Sequence, residues 1–239
     1  MAQSAEAAPP LQWHGFYIGG NVGGSWGESD TRVTLDQINN ILGSASNTFP
    51  GTRISDTLHP DGFIGGGQLG ILWQPSSWVY GFEADIQGSD ENDSSVKIVG
   101  VSGPCTTGTC AYVATSDLTA KLSWFGTVRG RIGQDWNGWL LYLTGGFAYG
   151  QFILSGSNSV TGVGDLVFSG FKLSETGAGW TVGGGVERAL FKNWTWRVEY
   201  LFIDLGSFSE NFNGGRAEAD FTDNIVRFAL NLKLGSTAP

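Results

Sequence analysis

Apolar and polar positions alternate with a period of two residues along much of the chain, which is the pattern of β-strands. Within residues 78–88, Trp78 and Phe82 fall on one face, whereas Glu83 and Asp85 fall on the other. Similar segments recur with an aromatic residue near one or both ends, and we predict eight strands. They span residues 15–27, 62–74, 78–88, 121–134, 139–152, 178–188, 194–205 and 224–234.

The connections between these strands alternate in length. Brief turns are predicted at residues 75–77, 135–138 and 190–193. The long connections cover roughly residues 28–61, 89–120, 153–177 and 206–223, and within them 95–101, 112–118 and 166–173 have the pattern of strand extensions. Short periplasmic turns and long extracellular loops are typical of outer-membrane proteins. The fold class predicted is therefore all-β, an eight-stranded antiparallel up-and-down transmembrane β-barrel.

Composition supports a barrel and excludes two other classes of protein. The chain has 239 residues, with 38 Gly, 10 Trp and 15 Phe. It has no run of about 18 apolar residues, so a transmembrane helix is not expected. The net charge of −9 argues against nucleic acid as a partner, because phosphate binding requires clustered Lys and Arg.

The pattern predicts one folded domain with short flanking segments. We expect residues 1–14 to form a disordered periplasmic leader, 15–234 the barrel and 235–239 a C-terminal tail. Met1 is followed by neither the basic region nor the apolar segment of a secretory signal. The expected chain is therefore a mature protein with an added initiator methionine.

Two cysteines, Cys105 and Cys110, stand in the segment GPCTTGTC. We predict a local disulfide made in the oxidising periplasm, with a pair of free thiols as the alternative. No histidine or third cysteine is close enough in sequence to suggest a zinc site.

Charged residues are expected on the inward faces of five strands. An eight-stranded barrel is just wide enough for side chains to fill its interior, and a buried charge without a partner is costly. A paired ionic network is therefore predicted; the alternative is a narrow polar pore or a gate. The inward charges are Glu83, Asp85, Arg129, Arg131, Glu187, Arg197, Glu199, Arg227 and Lys233.

Tryptophans near the strand ends predict the aromatic girdles that lie at lipid headgroup depth. An aromatic platform for carbohydrate on a soluble sandwich is the alternative, which the strict outward alternation disfavours. The girdle residues are Trp26, Trp73, Trp78, Trp124, Trp139, Trp180, Trp194 and Trp196.

Catalysis is not expected from this sequence. His14 and His59 are predicted to lie on opposite sides of the membrane, and a hydrolase built on His59 with Ser55 and Asp56 would lack a positioned triad. No helix follows the glycine runs, so a nucleotide site is not predicted, and no cofactor or resident metal is expected. The acidic long segments predict a solvated surface, with loosely bound Ca²⁺ or Mg²⁺ bridging to lipopolysaccharide as the alternative.

Several short motifs carry a family resemblance. They are GFYIGGNVGGSWG, WVYGFEADIQGS, WFGTVRGRIGQDW, LLYLTGGFAYG, GWTVGGGVERAL, WTWRVEYLFIDLG and NIVRFALNLKL. In this order they resemble the small outer-membrane β-barrel proteins of alpha-proteobacteria, the immunogenic surface-protein group of the OmpA-like porin superfamily.

The resemblance implies an abundant Gram-negative envelope protein that supports outer-membrane integrity and presents loops to the environment or a host. Its implied partners are outer-membrane lipids and lipopolysaccharide, the outer-membrane assembly machinery, and host or envelope proteins. A narrow porin-like channel for ions or small solutes is the alternative function, since some relatives are called porins.

Overall fold

The computed structural model describes residues 13–35, 52–105, 108–161, 166–191, 193–212 and 215–234. Within these ranges, no helix is long and apolar enough to cross a membrane. Residues 1–12 of the predicted leader and the tail at 235–239 lie outside the described residues, so both remain predictions.

The described residues form antiparallel strands joined into one sheet. Their bounds are β1 (Gly15–Leu35), β2 (Thr52–Leu58), β3 (Asp61–Trp73), β4 (Trp78–Ser89), β5 (Asn92–Cys105), β6 (Gly108–Trp136), β7 (Trp139–Thr161), β8 (Leu166–Phe191), β9 (Trp194–Phe212) and β10 (Gly215–Leu234).

Eight of these strands close into a ring in the order β1, β3, β4, β6, β7, β8, β9 and β10. Closure is made by β1, which pairs with β3 through Phe16 opposite Ile71 and with β10 through Phe16 opposite Leu234. A closed ring leaves no unpaired strand edge, and an edge exposed to hydrocarbon would cost several kcal/mol for each unpaired group. The predicted eight-stranded up-and-down barrel is confirmed.

The other two strands, β2 and β5, continue ring strands beyond the barrel. Strand β1 pairs with β3 as far as Trp26 and then with β2 from Ser29 onward. The break between β2 and β3 contains Pro60, which has no N–H to give to a ladder. Strand β6 similarly leaves β4 at Trp124 and takes β5 as its neighbour from Lys121.

The long external segments are largely strand rather than irregular loop. The extensions predicted at 95–101, 112–118 and 166–173 are confirmed as parts of β5, β6 and β8. Pairing between β8 and β9 ends at Trp180 and Asp204, so the sheet divides above this point. One part is β2-β1-β10-β9 and the other is β5-β6-β7-β8.

The two cysteines lie in the external hairpin of β5 and β6. In the backbone register Cys105 is opposite Gly108, and Cys110 is opposite Gly103. Their side chains lie outside the described part of the structure, so the disulfide remains a prediction.

The pattern of burial is the opposite of that in a soluble protein, with apolar side chains facing outward and charged side chains facing inward. On β4, Phe82 is 62% exposed and Ile86 is 57% exposed, whereas Glu83 and Asp85 between them are buried. Monomeric soluble proteins rarely expose such continuous apolar surface, so this outer face matches a lipid environment.

One predicted facing needs correction. Strict alternation along residues 121–134 predicts that Leu122 faces outward with Trp124 and Val128, but the structure buries it in the interior. The register of β6 against β7 shifts between Leu122 and Trp124. Such a bulge adds one residue to a strand and reverses the alternation beyond it.

Candidate functional site in the barrel interior

The alternation of each strand brings charged side chains to the middle of the barrel, and the register places opposite charges side by side. Glu83 of β4 lies opposite Arg129 of β6. On the other wall, Glu199 of β9 lies opposite Arg227 of β10, while Glu187 of β8 lies opposite Arg197 of β9. The register therefore sets two of the observed ion pairs, Glu83 with Arg129 and Glu199 with Arg227. Glu187 and Arg197 instead pair with residues of other strands.

Glu83 is the centre of this ionic layer. Both of its carboxylate oxygens accept hydrogen bonds from the Arg197 guanidinium, in a bidentate pair. Arg129 Nη2 lies 2.5 Å from Glu83 Oε1, and Arg131 Nη1 lies 3.4 Å from Oε2. The Tyr17 hydroxyl also donates to Oε2. Bidentate, charge-assisted bonds of this kind are the strongest available to a carboxylate.

The other acids join the same arginines. Glu199 lies 2.6 Å from Arg227 and 3.2 Å from Arg129, and it accepts a 2.8 Å hydrogen bond from Tyr142. Asp85 lies 3.0 Å from Arg129 and 2.9 Å from Arg227.

Glu187 bonds to Arg131 at 2.9 Å, to Thr195 at 2.6 Å and to Asn231 at 3.1 Å. The guanidinium of Arg131 also lies 3.8 Å from the ring centroid of Tyr142, a cation–π contact.

The ionic layer is electrically balanced and buried. Its eight charged members are each no more than 5% exposed, and the four carboxylates match the four guanidinium groups. Pairing offsets the large cost of removing these charges from water, whereas removing one partner leaves an uncompensated buried charge. The members are Glu83, Asp85, Glu187, Glu199, Arg129, Arg131, Arg197 and Arg227.

The ninth predicted charge, Lys233, lies toward the end with the short turns, where an apolar floor closes the barrel. Its Nζ is 5.6 Å from the ring centroid of Trp13. Trp13 is fully buried, and its backbone N–H donates to Gln74 at 2.7 Å. Trp13, which the prediction assigns to the leader, is therefore packed into the barrel. The floor consists of Trp13, Tyr17, Leu72, Val79, Leu140 and Tyr142.

The external half of the interior is an apolar core between the two divided parts of the sheet. At its centre the ring of Phe152 lies 5.3 Å from those of both Phe208 and Phe221. Leu118 of β6 and Ala219 of β10 belong to the same buried cluster. Inward alternation therefore continues through segments that were predicted to be loops.

The predicted girdle tryptophans lie near the two ends of the eight-stranded ring. Trp26, Trp124 and Trp180 are at the external end of the ring, and the other five are at the opposite end. Trp139 and Trp196 contact each other edge to face, with centroids 5.7 Å apart.

Two of the external residues weighed for a hydrolase, His59 and Asp56, contact β5. The backbone N–H of His59 donates to Asp93 at 2.8 Å, and Asp56 pairs with Lys97 at 3.0 Å. Burial opposes ionisation of Asp56, but hydrogen bonds from Ser95 and Lys97 outweigh it and hold the pKa of this carboxyl below its usual value. Among the described residues, no group of three or more His, Cys, Asp or Glu is arranged to hold a metal ion.

The chain is similar to a known protein family and to several known outer-membrane proteins. The model of the outer membrane protein beta-barrel domain matches residues 1–233. The chain belongs to this family. It is 33% identical to the 31 kDa outer-membrane immunogenic protein of Brucella melitensis over 241 aligned residues, covering 96% of the chain and 88% of that protein. It is 29% identical to the 22 kDa outer membrane protein of Rhizobium leguminosarum, covering 97% of the chain and 83% of the relative.

Among solved structures, the chain is similar to Ail, the attachment invasion locus protein of Yersinia pestis, with 13% identity and a TM-score of 0.29. The similarity covers 87% of this chain and 99% of Ail. The family confirms the predicted location, and the barrel is an integral protein of the bacterial outer membrane with its turn end in the periplasm.

Several members of the interior were not singled out from the sequence. Tyr17, Tyr142 and Thr127 all bond to carboxylates of the ionic layer. Alternation alone could have placed these residues inside the barrel, because each is separated by an even number of positions from another inward residue on its strand. Parity cannot show which inward hydroxyl reaches a carboxylate, since that depends on the width of the barrel.

Replacing Tyr17 with Phe tests one of these contacts. The hydroxyl of Tyr17 donates to Glu83 and accepts from Arg131 at 2.9 Å. Hydrogen bonds to charged groups contribute about 1.5–3 kcal/mol, so Y17F should lower the free energy of unfolding by about this amount in urea titrations. The matched control is Tyr80→Phe on the lipid face, which is 43% exposed. Equal losses in the two variants would contradict the role of Tyr17.

Proposed function

We propose that the chain is a non-conducting structural barrel that anchors an external β-platform in the outer membrane. The platform consists of the strand segments above Trp26 and Trp180, and it presents its outer surface to the environment or to a host. The carrying observation is the filled interior, in which the apolar floor, the ionic layer and the external apolar core follow one another along the barrel axis.

A pore for ions would require a continuous hydrated path. The described residues instead place fully buried side chains in all three layers, including Trp13 in the floor, Arg197 in the ionic layer and Phe221 in the external core. Eight-stranded barrels are narrow enough for side chains to fill them. The porin-like alternative would need the ionic layer to separate, and its four matched charge pairs oppose that separation.

Single-channel recording in a planar lipid bilayer tests the proposal. We expect folded protein, identified by a heat-dependent shift in gel mobility, to show no discrete openings. The control is a double variant, Glu83→Gln with Arg129→Gln, which removes one matched pair without leaving a net charge. The porin-like alternative would be established instead if the unmodified protein shows openings and the double variant changes their conductance or ion selectivity.

A further inference from the structure

Two carboxylates buried at the external mouth of the barrel are separate from the ionic layer. Glu91 lies in the break between β4 and β5, and Asp223 lies on β10 opposite Gly27, one residue beyond the external girdle. Both side chains have 0% exposure. They had been expected on a solvated loop surface, and the structure corrects that expectation because β10 and the end of β4 continue the wall of the barrel.

The position of Glu91 is fixed on one side only. Its Oε1 accepts hydrogen bonds from Ser25 and, at 2.9 Å, from Ser89, whereas its Oε2 has no hydrogen-bond partner in the described part of the chain. The pKa of the Glu91 carboxyl is raised to about 6, chiefly by burial and also by the charges of Asp90 and Asp61, against the hydrogen bonds from Ser25 and Ser89.

Asp223 provides the second and independent observation. Neither of its carboxylate oxygens has a hydrogen-bond partner of regular geometry among the described residues. Burial and the like charge of Glu91 raise the pKa of the Asp223 carboxyl well above its usual value, and the backbone N–H of Asn224 opposes this shift. On β10 its inward neighbours are Phe221 and Ile225, which belong to the apolar core. A carboxylate in such surroundings is costly unless a positive charge balances it.

We propose that Glu91 and Asp223 bind one divalent cation, with Ca²⁺ as the preferred ion. Their three unpartnered oxygens carry the charge that such an ion balances, and hard cations prefer carboxylate oxygens. Ca²⁺ tolerates irregular geometry and a coordination shell completed by water, whereas Mg²⁺ requires a near-ideal octahedron. The bound ion joins β10 to the break between β4 and β5 and so closes the external mouth.

The test is thermal unfolding of the full chain, refolded in detergent and treated with a chelator, with and without millimolar CaCl₂ at neutral pH. A ligand that binds only the folded state stabilises it by mass action, so Ca²⁺ should raise the melting temperature by about 5 °C. Calorimetric titration with CaCl₂ should give one site per chain. Asp223→Asn should abolish both effects, whereas Asp220→Asn, an exposed acid on the same strand, should retain them.

Three results would overturn the proposal. The first is an absence of any response of the unmodified protein to Ca²⁺. The second is a response of equal size in D223N. The third is stabilisation on acidification below pH 6 without a response to Ca²⁺, which would show that the two carboxylates share a proton. If D223N does not fold, Glu91→Gln replaces it. A test that needs no variant is competition in the unmodified protein, in which Ca²⁺ should displace bound Tb³⁺ and reduce its luminescence.

Discussion

Replacing Glu83 with Gln should lower the free energy of unfolding by about 3–5 kcal/mol, because removal of one partner from a buried ion pair leaves the others uncompensated. Glu83 bonds to Arg197 through both oxygens and lies within 3.5 Å of Arg129, Arg131 and Arg227. The amide keeps the shape of the side chain and removes its charge. The midpoint of urea unfolding, followed by tryptophan fluorescence, measures the loss.

The control for E83Q is Glu218→Gln on the external part of β10. Glu218 also pairs with two arginines, Arg216 at 3.0 Å and Arg32 at 3.9 Å, but its side chain is 40% exposed. Exposed pairs contribute about 1 kcal/mol or less. If the two variants lose stability equally, burial does not amplify the contribution of Glu83. Adding Arg197→Met to E83Q should recover part of the loss by removing the unpaired guanidinium.

The membrane half of the molecule was predictable from the sequence because lipid imposes a strict rule there. Every outward position must be apolar and every backbone group must be paired, so Phe82, Glu83 and Asp85 reveal their faces by parity alone. The nine predicted charges all lie inside the barrel. Eight of them meet in one layer, while Lys233 lies by the floor with Trp13.

The external half was less predictable because lipid does not act on it. Its strands face water on the outer side, so the outward positions of residues 216–221 are charged rather than apolar, and a small inward residue such as Ala219 gives only a weak apolar signal. The bulge beside Leu122 reverses parity without a distinctive sequence signal. Burial of Glu91 and Asp223 depends on strands that are distant in the chain, and spacing along the sequence contains no information about that contact.

The two halves also differ in what stabilises them. In the membrane half, moving an apolar group from lipid into the protein interior would gain little free energy. The pairing of charges inside the barrel therefore determines the specificity of the fold. In the external half, burial of apolar side chains away from water supplies the driving force, as in a soluble protein. The external core and the ionic layer can therefore be perturbed separately: a change in the external core should reduce stability without changing the ionic layer.

Replacing Phe152 with Ala should lower the free energy of unfolding by about 3–5 kcal/mol, the usual cost of truncating a buried phenylalanine. Phe152 is 2% exposed and contacts the rings of both Phe208 and Phe221. Its removal therefore leaves a cavity between the two parts of the divided sheet. Ile98→Ala is the control, since Ile98 is 70% exposed on the external part of β5, and surface substitutions usually change stability by about 0.5 kcal/mol or less.

The same variant shows, in the bilayer recording, which half of the molecule blocks conduction. F152A leaves the ionic layer and the floor intact, so it should remain silent although it is strongly destabilised. Openings in F152A at neutral pH would mean that the external core, rather than the ionic layer, blocks the barrel. A loss of stability no larger than that of I98A would instead show that the two parts of the divided sheet do not pack on each other in solution, and that the platform is held by its strand ladders alone.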